Sequence, residues 1–344
     1  MTPLFSIGIG IGTQNANGEW LEVYYPQPLL NPSEAIAQAV IGASGYAEGN
    51  QTLDLDAKAI AALGEALSQA GEAALAATVT SLTNSTRRAV VVILATDASP
   101  SSVPEAYLKL QLISHRLVRP HGIDLSGIFG CLPNVAWTSE GAIDLAELSA
   151  RQLKARLENR ALSVDSIDKF PKMTDYVVPS GVRIADTSRV RLGAYIGEGT
   201  TIMHEGFVNF NAGAEGPNMI EGRISAGVFV GAGSDLGGSS STMGTLSGGG
   251  NIIISVGKEC LIGANAGIGI PLGDRCIVEA GLYITSGTKV GLLDDNRQAV
   301  GSAKARDLAG RSDLLFRRNS ETGAVECLTN KTAVELNEAL HAHN

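Results

Sequence analysis

Aromatic residues are scarce, at 5% of 344, and the four cysteines, Cys131, Cys260, Cys276 and Cys327, are widely separated with no CxxC pair. That spacing excludes a disulfide-rich scaffold and favours reduced thiols in a cytoplasm. Positive charge is also short. Lys and Arg number 26 against 35 Asp and Glu, a net charge of −9, which is the wrong sign for nucleic acid or an anionic membrane, local basic pockets aside. The longest aliphatic run, AVVVILA at Ala89–Ala95, falls far short of the ~20 residues that span a bilayer. The opening MTPLFSIGIGIGTQ lacks the basic start of a signal peptide, so a cytoplasmic protein with no membrane partner is expected. Glycine is abundant: 41 glycines, with 44% hydrophobic and 18% charged residues, describe a globular chain with many tight turns and little room for large rings.

Residues 1–170 carry the mixed periodicities of an amino-terminal α/β domain. Ile60, Leu63 and Leu67 predict one amphipathic helix over Leu55–Ala77. Arg87–Thr96 reads as a strand covered on both faces, and Pro104–Val118 and Leu145–Asn159 as helices. SIGIGIGTQN fails as a dinucleotide fingerprint, because Thr13 stands where the third glycine belongs and no helical pattern follows. A glycine-punctuated strand is the better reading. Asp97 and His115 read as surface or capping residues.

From Val178 the pattern changes. Val178, Ile184, Val190, Ile196, Ile202 and Val208 stand six apart, and four residues after each of the first five comes a small or β-branched residue. Six matches neither a helix nor a flat strand, so it predicts a chain that turns a corner at fixed intervals and points one aliphatic side chain inward per side. The period returns at Ile224, Val230, Leu236, at Val256, Ile262, Ile268, and at Leu272, Val278, Ile284, Val290. The intervening NFNAGAEGPNMIEGR and GGSSSTMGTLSGGGNIIIS leave the frame and read as inserted loops on a binding face. Residues 171–292 are thus one repeat domain. Residues 293–344 are an extension that includes a hairpin in LLFRRNSETGAVECL and a short helix at Ala333–His341, capping the open end.

His204 and Glu205 form the one adjacent acid–base pair inside the repeat, in TTIMHEGFVNFNAG. Val208 fills the second ligand position of an HExxH motif, and a three-imidazole metal site fails because His204 is the only histidine between Val178 and Val290. The bland reading of such a pair is a solvated turn. Arg223, in the out-of-frame EGRIS, suits an anionic substrate, whereas Arg183, Arg189 and Arg191 in regular hexads read as solvated or inter-subunit side chains. Asn209 and Asn211 offer amide donors, or form turns.

The aliphatic-then-small signature, in IGEGTT, VGAGSD and IGANAG, resembles the hexapeptide-repeat family, which implies a left-handed parallel β-helix, homotrimers and acyl-CoA chemistry. DKFPKMTDYVVPSGVRIAD, MHEGFVNFNAG, EGRISAG and GTLSGGG narrow this, resembling the long-form tetrahydrodipicolinate N-succinyltransferases densely from Asp168 to about Ser320 and loosely before it. The resemblance implies succinyl transfer from succinyl-CoA to the amino group of tetrahydrodipicolinate in its ring-opened or hydrated form, in lysine and diaminopimelate biosynthesis. It makes Glu205 a general base or an anhydride-forming nucleophile, with His204 orienting it or stacking in the groove, and Arg223, Asn209 and Asn211 on the substrate. Carried over as CoA contacts are Gly222, Ser225, Gly248, Gly263 and Ala264, with Lys304 and Arg306, and more weakly Lys289, for the phosphates. Some long-form relatives hold a divalent ion such as Mg2+ on the three-fold axis, with no ligands assignable in this chain. The competing readings are another acyl-CoA N-acyltransferase on this scaffold and a non-catalytic solenoid.

Overall fold

The computed structural model describes residues 3–244 and 252–329. They form two compact units, the first running through Pro171 except for residues 119–121, the second comprising 119–121 and the chain from Lys172 onward.

The first unit is built on β1 (Ser6–Gln14), β2 (Trp20–Tyr24), β3 (Leu29–Leu30), α1 (Glu34–Ser44), β4 (Gln51–Leu55), α2 (Ala57–Gln69), α3 (Ala73–Ser81), β5 (Arg88–Leu94) and α4 (Val103–Ser114). The main sheet runs β2-β1-β5-β4, with β3 also on β1, and every pairing is antiparallel. β5 is covered on both faces, as its unbroken apolar run requires. The glycines of β1 have a steric cause. A Cβ on Gly8 would meet Leu108 and the Tyr25 ring at 2.8 Å, and one on Gly10 would meet Tyr24 O at 2.0 Å. Ile7 and Ile9, on alternate positions, join the α1–α3 core instead. The single helix expected over Leu55–Ala77 is two. Gly71, at φ +85°, ends α2 in the left-handed region, and the chain folds back as α3. Asp97 is more than a surface residue, since its carboxylate pairs with the fully buried Lys109 and accepts the Asp124 N–H. His115 does cap α4. A smaller antiparallel sheet, with α5 (Ile128–Cys131) preceding it, orders β7 (Gly141–Asp144), β6 (Val135–Thr138) and β8 (Val164–Asp168), and α6 (Leu145–Leu157) follows β7.

The second unit is a left-handed parallel β-helix with three faces. The first face stacks Ala194–Ile196, Ala212–Ala214, Phe229–Val230 and Ser255–Val256. The second begins at Arg183–Ile184 and runs through Thr200–Ile202, Asn218–Ile220 and Asp235–Leu236 to Leu261–Ile262 and Ile277–Val278. The third carries Phe207–Val208, Arg223–Ile224, Ser241–Thr242, Gly267–Gly269 and Tyr283–Thr285. The inward aliphatics from Val190 to Val290 stack into one column of core. Val178 does not join them; it is 68% exposed, on a stretch that precedes the first strand of the helix.

The stretch after Val208 is not an inserted loop. Ala214 and Ile220 are fully buried and continue the period of six, and the frame slips only at the next corner. Four residues, Met203–Gly206, join Ile202 to Phe207; only Glu221 and Gly222 join Ile220 to Arg223 in the coil above. The frame also persists from Leu236 to Thr242, an inward polar residue whose hydroxyl donates to Arg223 O and accepts the Ser225 N–H.

At the far end, Leu314–Arg318 and Val325–Thr329 form the expected hairpin, and its first strand pairs in parallel with Ile277–Val278, which puts Phe316 into the core column. This part of the extension therefore adds a course to the β-helix. Arg275 grips Asp313 with two bonds of 2.6 and 2.8 Å, tying the last coil to it. The cysteines are free; Cys260 and Cys276 lie on one corner column, where Cys276 N donates to Cys260 Sγ. The proposed helix Ala333–His341 lies outside the described residues.

Candidate active site

His204 and Glu205 occupy the exposed corner Met203–Gly206 between the second and third faces. Three features fix this corner. Gly206 N donates to Met203 O at 2.9 Å and closes the turn. A Cβ on Gly206 would lie 2.4 Å from Ile220 O, so only glycine lets the chain pass that close to the coil above. Arg189 reaches up from the preceding coil, its Nε donating to Gly206 O at 3.0 Å and its Nη2 to Glu205 O at 3.1 Å. Beneath His204, Asp186 accepts the Ser188 N–H and hydroxyl. Those bonds first, then the neighbouring Arg189 guanidinium and His204 ring, hold its carboxyl below the usual carboxylate range.

The outward side of the third face continues the site. Phe207 is in register with Arg223, and the Arg191 guanidinium lies over the Phe207 ring, 5.9 Å from its centroid. Arg223 is exposed, with one bond of 3.3 Å to Ser241 Oγ. Asn209 Oδ1 accepts from Arg191 and from Phe210 N, so its amide nitrogen is the end it can present. Glu205, Arg223 and Asn209 thus share one corner and the face beside it. Asn211 does not. It sits at the next corner in the left-handed region, φ +49°, its Oδ1 accepting the His121 N–H and its carbonyl the Gly227 N–H. The structure gives it a turn-forming task.

Gly222, Gly263 and Ala264 fall on the same corner column as His204. A Cβ on Gly222 would lie 2.1 Å from Ser240 Oγ, and one on Gly263 2.5 Å from Ala280 N, so stacking alone demands these glycines; Ala264 is exposed. The Ser225 hydroxyl donates to Thr242 O at 2.6 Å. Gly248 lies outside the described residues. Near the end of the helix Lys289 and Lys304 face each other across an antiparallel pair, and Arg306 N donates to Ser286 O alongside. Like charges directly opposite on a sheet repel, and an anion between them relieves the cost.

Sequence reasoning left Arg189 and Arg191 as solvated or inter-subunit side chains. Within the chain one clamps the Glu205 corner and the other stacks on Phe207. The available signal was the contraction of the repeat between Val208 and Ile224, which marks the short corner above Glu205. Among the described residues no group of three or more His, Cys, Asp or Glu could hold a metal ion.

Family models match three segments of the chain. Residues 31–130 match the amino-terminal part, and residues 132–172 the middle part, of tetrahydrodipicolinate N-succinyltransferase, while 253–286 match the hexapeptide repeat of succinyl-transferase. A 2,3,4,5-tetrahydropyridine-2,6-dicarboxylate N-succinyltransferase from Pseudomonas paraeruginosa is 69% identical over 341 residues, 99% of each chain. The chain belongs to the tetrahydrodipicolinate N-succinyltransferase family. The Vibrio cholerae enzyme of the same name is 60% identical over 340 residues, again 99% of each chain. A Campylobacter jejuni crystal structure described as a 2,3,4,5-tetrahydropyridine-2-carboxylate N-succinyltransferase superposes with a TM-score of 0.88 at 33% identity, covering 97% of this chain and 94% of that one. The family likeness spans both units, including the amino-terminal one that the sequence motifs touched only loosely.

Proposed function

We propose that this chain transfers succinyl from succinyl-CoA to the amino group of tetrahydrodipicolinate in its hydrated or ring-opened form, one water having added across the ring C=N, giving N-succinyl-2-amino-6-oxopimelate and CoA for diaminopimelate and lysine synthesis. The observation that carries the reading is the corner Met203–Gly206, where MHEG places a carboxylate on a clamped turn beside an arginine-bearing face. The amine nitrogen attacks the thioester carbonyl, the tetrahedral oxyanion collapses, and CoA leaves as the thiolate while the ammonium proton departs. As general base, Glu205 takes that proton. As nucleophile, it first displaces CoA to form a succinyl-glutamyl anhydride, which the amine then opens. His204, the residue before it in the chain, orients that carboxylate or stacks in the groove.

Arg223 is the fork for substrate carboxylates, with Asn209 beside it. Asn211 acts through the turn it forms, next to the substrate face. The pantetheine arm runs along the corner column at Gly222, Gly263 and Ala264 and past Ser225, and Lys304, Arg306 and Lys289 take the phosphates. The exposure of Glu205 and Arg223 supports a homotrimer, because a thioester site works best with water excluded and a neighbouring copy would supply the missing wall. No helix among the described residues is long and apolar enough to cross a membrane, and a cytoplasmic place suits a CoA-dependent step.

The test is CoA release from succinyl-CoA, with tetrahydrodipicolinate or 2-aminopimelate as acceptor against a neutral amino acid and against none. Release that depends on the dicarboxylate acceptor is expected. Preference for the neutral amine would move the chain to a different N-acyltransferase activity, and no release with any acceptor would sink the reading. A stoichiometric burst of CoA without acceptor would select the anhydride route.

A further inference from the structure

The geometry points to Arg189 as a positioning residue for Glu205, an inference that rests on the proposed activity. The corner bearing Glu205 is two residues longer than the one above it and exposed, so stacking of coils does not by itself define where its carboxylate points. Two consecutive carbonyls, of Glu205 and Gly206, accept from one guanidinium at 3.1 and 3.0 Å. A planar fork that holds two adjacent peptide oxygens fixes the peptide units on either side of Gly206, and the first of these is attached to the Cα of Glu205 and so restricts the direction of its side chain. Lysine, a point donor, fixes one. Arg189 is itself anchored, since its N–H donates to Asp186 O at 3.2 Å and the following Val190 is fully buried. The chain thus hangs the reactive corner of one coil from the coil below, and Arg189 touches the main chain without entering the reaction.

Positioning predicts a split between turnover and binding. In Arg189→Ala, kcat should fall roughly tenfold to a hundredfold, as expected for a misplaced reacting group, while KM for succinyl-CoA moves by less than about threefold. Arg189→Lys should recover only part of the rate, and millimolar guanidinium should partly rescue Arg189→Ala. In a Glu205→Gln background the Arg189→Ala change should cost nothing further, because its target is gone. An unchanged kcat, or an equal further loss in the double variant, would overturn the role. Hydrogen exchange at the Gly206 and Phe207 amides supplies a readout independent of activity. Exchange should accelerate in Arg189→Lys and Arg189→Ala relative to wild type, and unaltered exchange would overturn the clamp even if no turnover were found.

Discussion

The glycines at the site divide into those the stacking of coils requires and those it merely tolerates. Gly206 belongs to the first kind, with Ile220 O only 2.4 Å from where a Cβ would be; Gly238 belongs to the second, its nearest neighbour the Glu221 carboxylate at 3.6 Å. Gly206→Ala should therefore cost about 1–3 kcal/mol and displace the Glu205 corner, whereas Gly238→Ala should melt within a degree or two of wild type. Thermal unfolding of the two variants side by side checks this, and equal melting temperatures would contradict it. At this scale the sequence was partly legible. Glu205 stood out because it forms the one adjacent acid–base pair in a repeat built of aliphatic and small residues. Arg189 did not, because a hexad fixes only which side chains point inward and leaves open what a long outward side chain reaches. Asn211 drew attention as an amide donor, yet its left-handed backbone angle commits it to a turn, and that angle is invisible in a residue name.

Among the elements, the period of six located the β-helix, and its errors came at the ends and at the short corner. Val178 keeps the spacing but has no coil below it to pack against, so it remains 68% exposed while Ile196 is fully buried. Ile196→Ala should cost about 2–5 kcal/mol in denaturant unfolding, and Val178→Ala about 0.5 kcal/mol or less. Similar losses for both would mean that the column begins earlier than described. Residues 209–223 read as a loop because an alanine, Ala214, serves as an inward residue and the next corner is two residues short, which shifts every later position. In the first unit the helix expected over Leu55–Ala77 ran through Gly71, since hydrophobic spacing continues across the turn even though the backbone does not.

For the whole molecule, the division into an α/β unit and a β-helix was written in the change of period, and the family motifs in the second unit carried the activity. The task of the first unit was not legible, because its residues show packing and capping but no constellation of reactive groups. What joins fold to function is a single corner of regular length beneath a neighbour two residues short, glycine-fitted against the coil above and clamped by arginine from the coil below. The measurement that tests this most directly compares wild type with Glu205→Gln for acceptor-dependent CoA release, after both are shown to have the same oligomeric state and melting temperature. The account predicts release by wild type and a loss of at least about a hundredfold in the variant. A correctly folded Glu205→Gln protein that turns over like wild type would contradict it.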